Sequence, residues 1–218
     1  MKNIEALLKS VTSEDREGLK EILKSKSIEP KDIIDEFWYN CQSIFGYTFG
    51  SEPSYHNILL KVCKKLTITD AHTRSDEKNE ILIAQKVMKT VWEKMNSEQK
   101  EEFEKKLRET SEKYDKSGSL ASSASIFGAL TAAQLSGFGV YLLASTTLGA
   151  ITGAIGLTLP FAVYTTMSSA IAVIIGPVGW IGAGLFAIWK LTGANYKKLI
   201  PAIIYISALR SKIEGNYK

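Results

Sequence analysis

Between Ser117 and Trp189 the chain contains no Asp, Glu, Lys, Arg or His, a run of 73 residues. Such a run excludes the ordinary solvated helix surface, which needs charged side chains facing water. Cysteine is nearly absent too. Cys41 and Cys63 each sit in an apolar helical pattern with no second cysteine nearby, which excludes a disulfide framework and a paired-cysteine metal site and reads as two buried small hydrophobes in a reducing compartment. Histidine is limited to His56 and His72, 16 residues apart and outside any HExxH pattern, so neither metal ligation nor general-base chemistry is expected of them. The glycines of "GPVGWIGAG" follow no strand and precede no Lys-Ser/Thr pair, which excludes a phosphate loop and leaves close helix packing as their use. No segment of the charged half alternates apolar and polar residues long enough for a strand. The start, "MKNIEALLKS", lacks the ~7 to 15 residue apolar core of a secretory signal, so the first half is expected in the cytoplasm.

What is present divides the chain by composition. Residues 1–116 hold 21 basic and 22 acidic side chains, whereas residues 190–218 hold six basic and one acidic. The basic tail (Lys190, Lys197, Lys198, Arg210, Lys212, Lys218) is chemistry for phosphates, and its place directly after an apolar run favours lipid headgroups over nucleic acid. No basic platform interleaved with aromatic residues accompanies it, so no nucleic-acid partner is expected.

The charged half reads as helices. Ile4, Leu7, Leu8 and Val11 share a face; Leu19, Ile22 and Leu23 share another after "TSED", where Thr12 or Ser13 can cap. Pro30 opens a helix through Ile33, Phe37 and Cys41, Ser54 opens one through Ile58, Leu59 and Val62, and Ser75 opens a longer one through Val91. Asn96 and Gln99 form a capping box for a helix bearing Phe103 and Leu107. The charge pairs of "WEKMNSEQKEEFEKKLRETSEKYDK" are a solvated helix face. The fold class is therefore all-α: an amphipathic helical domain (1–116), a chargeless apolar Gly/Ala-rich helical hairpin (117–189) and a basic C-terminal helical segment (190–218).

The chargeless region is either a core sheltered by charged helices or a set of helices lying in a bilayer. A span needs ~20 mostly apolar residues, and Leu120–Ala144, Leu148–Met167 and Ser169–Trp189 are candidates. The membrane-inserting side chains expected are Phe138, Leu142, Leu159, Phe161, Ile171, Ile174, Ile175, Trp180, Leu185 and Phe186. Trp189 and Lys190, with Tyr196, Lys197 and Lys198, have the composition of an interfacial anchor. Gly149 and Gly153, and Gly179 and Ala183, are spaced for close helix packing and self-association, while Pro160 and Pro177 mark turns or kinks. Basic flanks on both sides favour an even number of crossings with both ends in the cytoplasm, hence a two-span hairpin in a bacterial inner membrane; a soluble form before insertion is the alternative. Charged helices around an apolar hairpin share their design with colicin-type pore-forming domains, an analogy of architecture and not of motif.

Three blocks, "YHNILLKVCKKLTI", "VWEKMNSEQKEEF" and "GPVGWIGAGLFAIWKLTGANYKKLIPAIIYISALR", resemble the YaaW-like family of uncharacterised bacterial proteins. The matched positions are Trp92, Lys94, Met95, Asn96 and Glu98; Gly176 to Gly179; and Tyr196, Ile200, Pro201 and Ala202. The resemblance spans about residues 30 to 210, and the helical part is more broadly similar to chaperones that assemble ubiquinol-cytochrome c reductase. The family's Arg-Gly pair after a Gly-rich stretch is not matched, since "FGYTFGSEPSYHN" lacks the arginine. The resemblance implies a helical, membrane-associated protein with no catalytic residues to carry over. The expectation is thus a non-enzymatic, cofactor-free, membrane-associated protein with a conditional membrane-inserting or pore-forming role of the defence or toxin kind. The alternative is a membrane-proximal binding module or assembly chaperone with an unknown protein partner.

Overall fold

The computed structural model describes residues 2–45, 54–132, 134–135, 137–154 and 196–215. Among them all regular structure is helical: α1 (Lys2–Ser10), α2 (Ser13–Leu23), α3 (Pro30–Phe45), α4 (Tyr55–Lys65), a 3-10 turn (Ala71–Thr73), α5 (Asp76–Glu93), α6 (Ser97–Tyr114), α7 (Ile126–Leu130), α8 (Phe138–Ala154) and α9 (Tyr196–Gly215). The starts follow from local chemistry. Thr12 and Asp15 cap each other across the first turn of α2, and Asn96 and Gln99 do the same for α6, because each side chain satisfies a backbone N–H that has no partner inside the helix. Ser54 accepts from the Asn57 N–H and Ser75 from the Lys78 N–H, placing both expected caps where the sequence puts them.

The centre of the fold is made of the two helices with the least amphipathic sequences. α9 packs against α8, α2, α5 and α3, and each residue from Leu199 to Leu209 is buried. α8 packs against α9, α5 and α7, and each residue from Phe138 to Thr152 is buried. A helix that is apolar on all sides has no face to offer water and must be surrounded. One hydrophobic core results, drawing Leu8 and Leu59 from the charged helices, Leu142 and Ile151 from the chargeless run, and Ile203 and Leu209 from the tail. The three compositional stretches share that core.

The structure departs from the sequence expectation in the first apolar segment. Leu120–Ala144 is not one helix: α7 ends at Leu130 and α8 begins at Phe138. Gly118 and Gly137 adopt positive φ (67° and 55°), a conformation that L side chains resist. Between them, the hydroxyls of Ser122 and Ser123 bond to the carbonyls of Ser119 and Leu120, local bonds that compete with helix continuation. Having no charges of its own, the segment is held by charged and polar side chains from elsewhere. Glu104 of α6 accepts from the Ser125 hydroxyl and from the N–H groups of Ile126 and Phe127 (2.9 and 3.1 Å), capping α7. Gln85 of α5 donates to the carbonyls of Leu130 and Ala132 at its other end (3.1 and 2.6 Å). Arg108 donates to the carbonyls of Ala121 and Ser123. Glu104→Ala is expected to cost about 1–2 kcal/mol in urea unfolding, since two backbone donors and a hydroxyl lose their acceptor together.

Candidate functional site

The feature that distinguishes this bundle is an uncharged helix enclosed by α5, α7 and α9, so the candidate site is α8 together with the polar ties that fasten its main partner, α9. Those ties run the length of α9. Near its start Lys198 donates to the Leu23 carbonyl at the end of α2 (2.8 Å) and lies 3.6 Å from Glu36 of α3. At its middle the Tyr205 hydroxyl donates to the Asp15 carbonyl (2.8 Å). Near its end Lys212 bonds the Asp15 carboxylate (2.6 Å), and Arg210 reaches Glu80 (3.2 Å) and Glu77 (3.8 Å) of α5.

Glu80 is fully buried and also accepts from the Tyr55 hydroxyl (2.8 Å). Burial pushes its carboxyl up to about 7, against the opposing pull of the Arg210 guanidinium and the Tyr55 hydrogen bond; the Glu77 carboxylate adds to the upward push. The same burial, with the Glu80 charge beside it, raises the Tyr55 hydroxyl well above its usual range. The sign for stability follows. With a folded value of about 7 against 4.5 for an ordinary glutamate, the native state holds the proton where the unfolded chain has lost it. Glu80 therefore contributes stability that is complete below about pH 4.5 and fades as pH rises through 7. Unfolding at pH 5.5 and 7.5 is expected to show this falling component, on the order of 2 kcal/mol, in the native chain and to lack it in Glu80→Gln.

The sequence-derived residues fall into three groups. Phe138 and Leu142 are buried inside the bundle on α8, as is Gly149, and Gly153 lies near that helix's end. Tyr196 is partly buried, Lys197 is exposed, and Lys198 is tied to α2 and α3. Leu159, Pro160, Phe161, Ile171, Ile174, Ile175, Pro177, Gly179, Trp180, Ala183, Leu185, Phe186, Trp189 and Lys190 lie outside the described residues. Among the described residues no helix is long and apolar enough to cross a membrane, and no group of three or more His, Cys, Asp or Glu side chains is arranged to hold a metal ion. His56 pairs with Asp76 (2.7 Å) between the starts of α4 and α5. Both cysteines are buried thiols, which burial pushes up to about 12 for Cys41 and about 11 for Cys63; neither is a reactive thiolate.

Three of the six basic residues of the tail are engaged within the fold. Lys198, Arg210 and Lys212 are all engaged by acids of the charged half, so these three bind the protein to itself. Sequence reasoning missed Asp15, Glu80 and Gly18. The two acids sit in stretches that read as ordinary helix surface, and their partners lie 197 and 130 residues away. Gly18 in mid-helix is the one local signal that could have been found: a glycine there weakens a helix unless something needs the space.

The class that fold and site define is an all-helical bundle built around a chargeless helix. A UPF0174 protein from Helicobacter pylori is 28% identical to the chain over 180 residues, covering 81% of this chain and 68% of that protein. The likeness is to a protein of an uncharacterised bacterial family; it does not carry the YaaW-like name expected from the motif blocks. No family model matches the chain, and no solved structure matches it. Of the motif positions, Trp92 stacks on Phe127 with ring centres 4.0 Å apart, while Met95, Ile200, Pro201 and Ala202 are buried. Their roles are packing.

Proposed function

We propose that this chain is a membrane-associated helical protein of the YaaW-like kind whose charged helices shelter a chargeless region able to insert into a bilayer. In its strongest form the reading is a conditional pore-forming effector of the defence or toxin type, resident at the bacterial inner membrane with both ends of the chain in the cytoplasm. The observation that carries it is α8. This helix is buried from Phe138 to Thr152, and in sequence it continues into the rest of a run with no ionised side chain as far as Trp189. A helix apolar around its whole circumference suits two environments, a protein core and lipid, so exchanging one for the other costs it little hydrophobic stabilisation. Small residues along the run suit close packing in either setting.

The test is fractionation of the expressed protein with carbonate extraction of the membrane pellet, followed by dye release from vesicles. Retention in the extracted pellet is the expected result. Ile174→Arg or Leu185→Arg is expected to abolish it, because a charge at mid-span costs about 2.5–3.5 kcal/mol on insertion. A protein that is monodisperse without detergent and leaves vesicles intact would overturn the reading in favour of a helical binding module or assembly chaperone.

A further inference from the structure

The charges of this protein are unevenly placed once the fold brings α4 and α5 together. Residues 54–69 and 81–92 contain five lysines (Lys61, Lys64, Lys65, Lys86 and Lys89) and no Asp or Glu. α4 and α5 pack against each other, burying Ile58, Leu59, Val62, Ile83, Val87 and Met88. Side chains three or four residues apart share a helix face, so Lys61 joins Lys64 and Lys65, and Lys86 joins Lys89, on the outer sides of the pair. All five are exposed.

Seven lysines elsewhere in the fold, Lys9, Lys20, Lys24, Lys26, Lys106, Lys198 and Lys212, each have a carboxylate partner within 4.0 Å. Lys64, Lys65, Lys86 and Lys89 make no ion pair among the described residues. Lys64 also borders a cleft of about 400 Å³ whose lining includes Leu60, Ile68 and Ala71 together with Asp70.

We propose that the outer face of the α4–α5 pair is the surface by which this protein docks on anionic phospholipid headgroups. The inference deepens the membrane reading above and rests on it. Clustered lysines gain most from a negatively charged bilayer surface, to which several can bind at once. The only exposed large hydrophobic side chains among the described residues are Tyr39 on α3 and Ile213 on α9, so this face offers no aromatic side chains for stacking nucleic-acid bases. The docking charge thus lies on the helices of the N-terminal half, while the described basic residues of α9 that form ion pairs hold the fold.

The experiment is co-sedimentation of the full chain with phosphatidylcholine vesicles and with vesicles containing phosphatidylglycerol, for the native protein and for two variants. One carries Lys64→Gln and Lys65→Gln, the other Lys86→Gln and Lys89→Gln. Glutamine keeps helix propensity and the sites are exposed, so thermal melting is expected to be unchanged. The native protein should prefer the anionic vesicles and lose that preference as salt rises. Each lysine removed should lower partition about fivefold, roughly twenty-five-fold for each double variant. If the variants bind anionic vesicles as tightly as the native chain, or if neutral vesicles bind equally well, the docking surface is overturned while the membrane reading stands. If the native chain binds neither vesicle, both are overturned. Lysine-dependent capture of a duplex oligonucleotide without vesicle binding would assign the face to nucleic acid and overturn the lipid proposal.

Discussion

Replacing Arg210 with alanine is expected to destabilise the protein by about 3–5 kcal/mol in urea unfolding at pH 8, among the largest effects a single side chain can have here. Its guanidinium faces Glu80, which has no exposure at all, with Glu77 and Tyr55 beside it. Without Arg210 the carboxylate stays in the core uncompensated, beside a second carboxylate. Protonation is the escape open to it, and Glu80 already sits at about 7, so the loss is expected to be smaller at pH 5.5. The double variant with Glu80→Gln is expected to be less destabilised at pH 8 than Arg210→Ala alone, because the buried charge has gone. A loss equal at both pH values would show that Arg210 acts through packing of its stem and not through Glu80.

Gly18→Ala provides the second large effect, and its sign is the informative part. In an exposed helix interior this substitution adds about 1 kcal/mol of stability. Here a Cβ at position 18 would lie 2.1 Å from the Tyr205 hydroxyl oxygen and 2.4 Å from its Cε2. The ring is fully buried, and its hydroxyl donates to the carbonyl of Asp15, so it has little room to retreat. Overpacking at ~1–3 kcal/mol and a broken buried hydrogen bond at ~1–3 kcal/mol outweigh the helix gain, for a net loss of roughly 3 kcal/mol in chemical denaturation. In a Tyr205→Leu background, where the ring is absent, the same change is expected to be neutral or stabilising. Additive behaviour across the two positions would disprove the contact as the cause.

Most of the helical architecture was legible because its causes are local. Thr12, Ser54, Ser75 and Asn96 cap helices through bonds to residues three positions on, and the faces carrying Leu7 and Leu8, or Leu59 and Val62, follow a period that needs no tertiary information. The break in the first apolar segment was less legible. It depends on glycines at positive φ and on serine hydroxyls that bond to the backbone, in a composition that reads equally well as continuous helix. The ties on α9 were not legible at all, since a lysine or arginine near a chain's end looks the same whether a phosphate or a distant carboxylate awaits it.

The sequence by itself determined that this protein is helical, where α2 to α6 begin, and that a long chargeless region must avoid water. Those properties reside in neighbouring residues and in composition. Only the tertiary structure decided that α8 is enclosed by α5, α7 and α9, that Arg210, Lys212 and Lys198 tie α9 to its neighbours, and that Lys64, Lys65, Lys86 and Lys89 face solvent without an ion pair among the described residues. An ion pair between residues 130 or 197 positions apart leaves no local pattern. Whether a charge faces a partner or the solvent is a property of the packed chain.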